Sequence, residues 1–385
     1  MNSYTELRSL DKVVLIDYLT VNIDDFRVIK HGRNDYRIQD DKFDKLLTIL
    51  GFNKEINNLQ AYLPLHGFTN GFLLNQFTRI SWGGEHVKSN GKYVVSIEMS
   101  GQALREFEKY SGHSWLDLLR MIFSFESFRI SRCDFAIDDF TAKEISLPYI
   151  RDLLEQGLYT SNSRYGSHVS SWVKNSDERT TAGFTFYIGK KGGNQLAIYD
   201  KLRERLFSGH EVETEAWNRY EMRFVQEKAY SVLEQYYLAL ESDNGFDLKK
   251  YVQGLLLSFL DLKDEDDKNS RIRRKATNPK WLNFLDSISK IDIKSRVKEP
   301  PTYDKKMQWV KSSLPSTFAE MIITQDFDGA QRIFYEAVAE AIDNLQPSKI
   351  ARLNQYLLEN NKKTFNEERS EEIKSLIKSI LDLND

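Results

Sequence analysis

Along the first two-thirds of the chain, hydrophobic positions switch between a period of two and a helical period, which predicts strands interleaved with helices. Val13–Val21 (VVLIDYLTV) is β-branched and apolar and reads as a buried strand, and Tyr93–Met99 (YVVSIEM) reads as another. Gln102–Tyr110 and Ser114–Phe123 carry helical spacing on either side of Gly112, with Ser114 and Asp117 placed as an N-cap and its capping-box partner. Phe128–Phe140 (FRISRCDFAIDDF) alternates as a strand, and a short helix follows with Pro148 in its first turn and Gly157 at its end. Gly183–Ile188 alternates, GKKGGN (Gly189–Asn194) supplies turn chemistry, and Gln195–Asp200 returns, which together predict a hairpin. Asn218–Phe224 (NRYEMRF) is a further strand, and from Ala229 onward the pattern is helical.

Asp261–Lys280 (DLKDEDDKNSRIRRKATNPK) is acidic and then basic, and reads as a linker. It divides the chain into a core, 1–260, and a charged linker with a helical C-terminal region, 261–385. In that region Ile373, Leu376, Ile377, Ile380 and Leu381 form the stripe of an amphipathic helix after Ser370.

Composition changes this picture little. The 385 residues are 41% hydrophobic and 29% charged, as in ordinary soluble proteins. Aromatics at 12% suit a sheet-rich core or platforms for nucleic-acid bases. A net charge of −3 excludes a polybasic protein, so any nucleic-acid affinity has to come from a local basic groove. The polar start carries no signal-peptide pattern, and the apolar stretch Leu255–Leu262 is too short to span a bilayer. A single cysteine, Cys133, leaves no internal disulfide and suits a reducing cytoplasm, the expected location. The histidines His31, His66, His86, His113, His168 and His210 are scattered, so zinc is not expected.

Candidate chemistry gathers on the strands. In Arg132-Cys-Asp-Phe-Ala-Ile-Asp138, Arg132, Asp134 and Asp138 share one strand face, while Cys133, Phe135 and Ile137 take the other, buried face. Asp134 and Asp138 lie about 13 Å apart at strand rise, too far to ligate one ion together, so one of them needs a carboxylate from another strand. Glu221, flanked on its own face by Arg219 and Arg223, is that candidate. The same residues could equally form cross-strand salt bridges on a solvated face. Tyr199, with Lys201 continuing its face, is either a nucleophile or an ordinary strand tyrosine. Its phenol, with a pKa of about 10, needs a metal, a base or a cation to react at neutral pH. Two basic stretches offer phosphate contacts or plain solvated loops: Lys190, Lys191, Lys201, Arg203 and Arg205 in one, and Arg271, Arg273, Arg274 and Lys275 in the other.

The ordered series IDYLTV, RCDFAIDDF, YIGKKGGNQLAIYDK and WNRYEMRF resembles the Rep_trans family of rolling-circle initiators and the related MobT-type relaxases. That resemblance implies an α+β fold, with a mainly antiparallel central sheet flanked by helices and a helical C-terminal region. It also implies a nicking-closing enzyme that acts at an origin through a 5′-phosphotyrosine, with Tyr199 as nucleophile, assisted by Lys201. The acidic metal site falls among Asp134, Asp138 and Glu221, and its carboxylates favour Mg²⁺ or Mn²⁺. The partners implied are single-stranded or extruded origin DNA and its flanking duplex, contacted by Arg132, Lys190, Lys191, Arg203, Arg219, Arg271, Arg273, Arg274 and Lys275. Helicase or accessory proteins and a second copy of the chain are further candidates; no membrane is expected. Ala197 stands where the family often has arginine, and Gly193 and Asn194 replace a usual Ser-Asp in a hairpin one residue shorter. The helix-turn-helix domain of many MobT relaxases is not expected ahead of the first strand. The alternatives are an origin-binding protein with a decayed site and a metal-dependent nuclease that hydrolyses with water.

Overall fold

The computed structural model describes residues 11–26, 28–30, 36–38, 41–51, 60–64, 66–87, 93–174, 179–212, 214–242, 246–288, 303–345 and 347–382. It falls into two compact units, Met1–Arg296 and Val297–Asp385.

In the first unit the strands are β1 (Lys12–Phe26), β2 (Val28–Lys30), β3 (Tyr36–Ile38), β4 (Gln60–Ala61), β5 (Asn70–Leu74), β6 (Thr78–Val87) and β7 (Tyr93–Ser100). They continue with β8 (Phe128–Asp139), β9 (Tyr159–Ser161), β10 (Gly166–Lys174), β11 (Arg179–Gly189), β12 (Gln195–Asp200), β13 (Asn218–Val225) and β14 (Leu260–Leu262). Ten of these build one antiparallel sheet in the order β10-β11-β12-β13-β8-β1-β7-β6-β5-β4. Its helices are α1 (Asp41–Ile49), α2 (Gly101–Tyr110), α3 (Trp115–Phe123), α4 (Leu147–Glu155), α5 (Lys201–Phe207), α6 (Gln226–Ser242), α7 (Leu248–Phe259) and α8 (Pro279–Phe284).

The local signals act as expected. Ser114 accepts from the Asp117 backbone N–H, and Asp117 reaches back to the Ser114 N–H, closing the capping box that starts α3. At the β11–β12 hairpin only glycine fits position 189: its φ is 119°, and a Cβ there would lie 2.2 Å from the Asn194 carbonyl. The Asn194 side chain accepts from the Val225 N–H at 2.9 Å, tying the hairpin to the end of β13.

The alternation along β8 and β13 divides the sheet into two faces. Cys133, Phe135 and Ile137, with Tyr220, Met222 and Phe224, are fully buried on one of them. Phe135 meets Tyr236 of α6 and Tyr251 of α7, and Tyr220 stacks against Phe284 of α8. Burying each such side chain contributes about 1.5–3 kcal/mol, which fixes the register of the central strands. The polar residues of the same strands are thereby committed to the opposite face.

Residues 261–280, read above as a linker, pack with the first unit together with the segment that follows them. β14 pairs with β9, Lys263 bridges to Thr277, and Trp281, Phe284 and Leu285 are fully buried in the core of the first unit. Lys12 of β1 donates to the Phe284 carbonyl at 2.8 Å and to Asp286 at 3.2 Å, clamping the end of α8 to the sheet. The charge run obscured three apolar anchors beyond it.

The second unit is helical: α9 (Tyr303–Asp343), α10 (Pro347–Glu359) and α11 (Glu367–Asp382). α9 breaks at Asp326 (φ 70°), whose carboxylate accepts from the Gly329 N–H at 2.9 Å and restarts the helix. α11 contains the amphipathic stripe foreseen after Ser370 but starts earlier, at Glu367; Ile377 of its stripe is buried, whereas Leu376 is 63% exposed. Lys374 pairs with Asp343 at 2.8 Å and joins α11 to α9. Among the described residues no helix is long and apolar enough to cross a membrane.

Candidate active site

The second face of β12, β13, β8 and β1 carries the polar residues. Tyr199 of β12 is paired in register with Arg219 of β13, and Arg219 with Asp138 of β8; Arg223 is likewise paired with Asp134. The Tyr199 hydroxyl donates to Glu221 Oε2 at 3.1 Å. Burial pushes the Tyr199 phenol well above its ordinary range, and the negative charges of Glu221, Glu204 and Asp17 act in the same direction; the Arg219 cation opposes them. Tyr199 is only partly covered and opens onto a cleft of about 650 Å³ over β10–β13 that also touches Glu221, Arg223 and Lys191.

Asp134 is fully buried. Arg132 Nε donates to both of its oxygens at 3.0 Å, and Arg223 Nε lies 3.5 Å away. Burial nevertheless raises its carboxyl to about 6; Arg132 and Arg223 pull it down, and Glu221 adds to the rise. The Arg132 guanidinium also stacks on Tyr18 of β1 at 3.9 Å.

Several expected roles are corrected. Asp138 is not open to a metal, because Arg219 Nε and Nη2 donate to its two oxygens at 2.7 Å each. Arg219 is 3% exposed and cannot reach a phosphate; its remaining nitrogen, Nη1, donates to Asp17 at 2.9 Å. Lys201 does not continue the strand: Asp200 caps α5, Lys201 becomes its first residue, and its ammonium pairs with Glu204 while lying 5.6 Å from the Tyr199 ring centre. Lys275 is spent on the carbonyls of Asp264 and Asp267. Arg132 is a partner of Asp134 before it is a phosphate contact. Arg203, at the helix start, faces Asp200 at 3.3 Å. Lys190, Lys191, Arg271, Arg273 and Arg274 are exposed.

Two site residues escaped the sequence reading. Asp17 sits where the β1–β8 register skips from Ile16 to Tyr18, a bulge that turns its carboxylate to Arg219. Gly101 makes room for it, since a Cβ there would lie 2.5 Å from Asp17 Oδ1. An acid inside the apolar run VVLIDYLTV was the available signal. Arg223 was noted only as a flank of Glu221; it lies between the acids, 3.6 Å from Glu221.

Among the described residues no group of three or more His, Cys, Asp or Glu side chains converges as a metal site. Asp134 and Glu221 are the two acids left for a hard divalent cation, which commonly takes one or two carboxylates, but Arg132 and Arg223 already meet Asp134 and Arg223 lies beside Glu221, so a metal there would have to displace a guanidinium. The Arg223 guanidinium marks the place for positive charge between them, and its Nε is buried without a hydrogen-bond partner.

The chain is similar to known proteins in family and in fold. The family model for the Rep_trans replication initiation factors matches residues 128–335, more than half of the 385-residue chain, and spans β8, β12 and β13. The chain belongs to the Rep_trans family. A solved rolling-circle replication initiator protein from Geobacillus stearothermophilus shares the fold, with a TM-score of 0.57 and 22% identity over 74% of this chain and 100% of that one. No curated protein matches the chain.

Proposed function

We propose that this Rep_trans protein initiates rolling-circle replication by nicking one strand of origin DNA and later rejoining it, with Tyr199 as the nucleophile. The observation that carries the reading is the hydrogen bond from the Tyr199 hydroxyl to Glu221 Oε2 at the wall of an open cleft. A partly covered phenol with a raised pKa does not ionise by itself, so it attacks only if its proton leaves as the new bond forms. Glu221 is placed to take that proton. Tyr199 Oη then bonds to phosphorus, the bond to the 3′-oxygen breaks, and that oxygen takes up a proton from solvent. The products are a 5′-phosphotyrosine and a free 3′-hydroxyl, and return attack by a 3′-hydroxyl reseals the strand without another energy source.

Arg219 sits one strand from the attacking oxygen and opposes the burial of its charge, while Asp138 and Asp17 hold Arg219 still. Asp134 and Glu221 would hold Mg²⁺ or Mn²⁺, which when bound neutralises charge growing on the phosphate. The exposed Lys190 at the hairpin and Arg271, Arg273 and Arg274 are cations placed to meet DNA outside the cleft, and the exposed Lys191 meets it at the cleft wall. The test is a denaturing gel of protein incubated with labelled single-stranded origin DNA. Wild type gives a covalent protein–DNA band, and Tyr199→Phe gives none while still binding the oligonucleotide. A band of equal strength from the Phe variant refutes the assignment.

A further inference from the structure

The cleft beside Tyr199 has more shape than a phosphate needs. The strand registers lay its lining out as a grid. Tyr187, Ala197 and Glu221 form one row across β11, β12 and β13; Thr185, Tyr199 and Arg219 form the next; Gly189, Gln195 and Arg223 form the row on the other side. Rows are about 6.6 Å apart along the strands and neighbours in a row about 4.8 Å apart. Ala197 stands at the centre with a single methyl group, and every side chain next to it within the cleft, Tyr187, Tyr199, Glu221 and Gln195, is much larger. The result is a pit with a methyl floor. A tyrosine ring stands across the strand, the nucleophile lies one step along it, and a side-chain amide closes the opposite end.

The outer wall is apolar as well. Val169 of the edge strand β10 is in register with Thr185 and lines the same cleft while 48% exposed. Lys191 and Arg223 bring positive charge to the cleft. Its two acids are already engaged, Glu204 by Lys201 and Glu221 by Tyr199.

We propose that this pit receives one unpaired base of the DNA strand, the base next to the phosphate that Tyr199 attacks. The inference rests on the nicking reading for the identity of the strand, but its evidence is the shape and lining of the cleft. An unpaired base offers an apolar face for Val169, Ala197 and the Tyr187 ring, and a polar edge for the Gln195 amide, whose Nε2 donates to the Gly189 carbonyl at 3.4 Å and keeps a second N–H and its oxygen for the base. The backbone leaving the pit passes Lys191 and Arg223. A base in a duplex is held in its stack and cannot enter, so the pit also selects for a melted or extruded strand. Ala197 is then a specificity-determining residue: its small size lets the base in, and Gln195 reads the edge.

The test separates binding from chemistry. Full-length Tyr199→Phe protein, which cannot form the adduct, is used to select binders from a pool of randomised single-stranded oligonucleotides, and the selected sequence is scanned with single abasic sites. One position should weaken binding roughly tenfold, within the range for a stacked base. In the Ala197→Leu background that position should become neutral while the other positions keep their effects. Tyr187→Leu should lose the same position and Tyr187→Phe should keep it, which covers the case in which Ala197→Leu does not fold. A flat abasic profile, or a profile unchanged by both Ala197→Leu and Tyr187→Leu, overturns the inference. Covalent capture of the selected oligonucleotide by wild type is scored separately. Its absence counts against the nicking reading and leaves the binding result to decide the pit.

Discussion

Replacing Arg219 with methionine tests the electrostatic frame under Tyr199 most directly. Methionine keeps the length and the apolar stem but removes three hydrogen bonds, two to Asp138 at 2.7 Å and one to Asp17 at 2.9 Å. Asp138 is then a buried carboxylate with no cation. Removing one partner of a buried ion pair costs about 3–5 kcal/mol, because the survivor has been stripped of water and given nothing in return. At about 2 °C per kcal/mol, the low end for large domains, the melting temperature should fall by roughly 6–10 °C. Adding Asp138→Asn to Arg219→Met removes the stranded charge and should recover part of the loss. Melting curves followed by circular dichroism are the assay. A fall of under about 2 °C would refute the claim that Arg219 is held in a buried ion network.

Other expectations follow from the same geometry. Asp134→Asn and Glu221→Gln should each abolish nicking in Mg²⁺ or Mn²⁺, whereas Asp138→Asn should leave the metal concentration at half-activity unchanged; full wild-type nicking in excess chelator would exclude a metal at this pair. Replacing the exposed Arg271, Arg273 and Arg274 with glutamine should flatten the slope of log affinity against log salt for duplex DNA by up to about 2.7, at 0.9 per phosphate contact, with nicking of a short single strand nearly unchanged; an identical slope would leave those arginines without a phosphate role. Asp286 is pushed up by burial, but hydrogen bonds from Lys249, Gln253 and Lys12 outweigh this and bring it to about 2. Its contribution is therefore present above the ordinary carboxylate range and is lost as pH falls from about 4 towards 2. Asp286→Asn should cost about 1 kcal/mol at pH 7 in urea unfolding once solvent screening is allowed for, with the difference vanishing in acid; a constant difference at all pH values would contradict it.

How much of this was legible in the chain depends on whether a residue's role is set along its own strand or across strands. The periodicity of Cys133, Phe135 and Ile137 assigned the buried face of β8 correctly, because alternation is a property of one strand and needs no partner. The capping box at Ser114 and the turn at Gly189 were readable for the same reason: each is settled within a few residues. Asp138 and Arg219 are different. Each was correctly placed on the polar face, but 81 residues separate them, and only the β8–β13 register shows that they consume one another. An acid and an arginine chosen independently as metal ligand and phosphate contact are, once adjacent and dry, each other's best partner, since no other arrangement satisfies both charges away from water. Asp17 completes the case. Its sequence neighbours are apolar, a one-residue bulge turns it towards Arg219, and neither fact predicts the other until β1 is laid beside β8. The error at residues 261–280 has the opposite cause. There the strong local signal, a run of charge, outweighed Trp281, Phe284 and Leu285 beyond it, and burial of those three decides where the segment sits. Charge patterning describes what a segment shows to water, while its apolar residues determine what it packs against, so a short charged run bounded by buried aromatics belongs to the core that the aromatics enter.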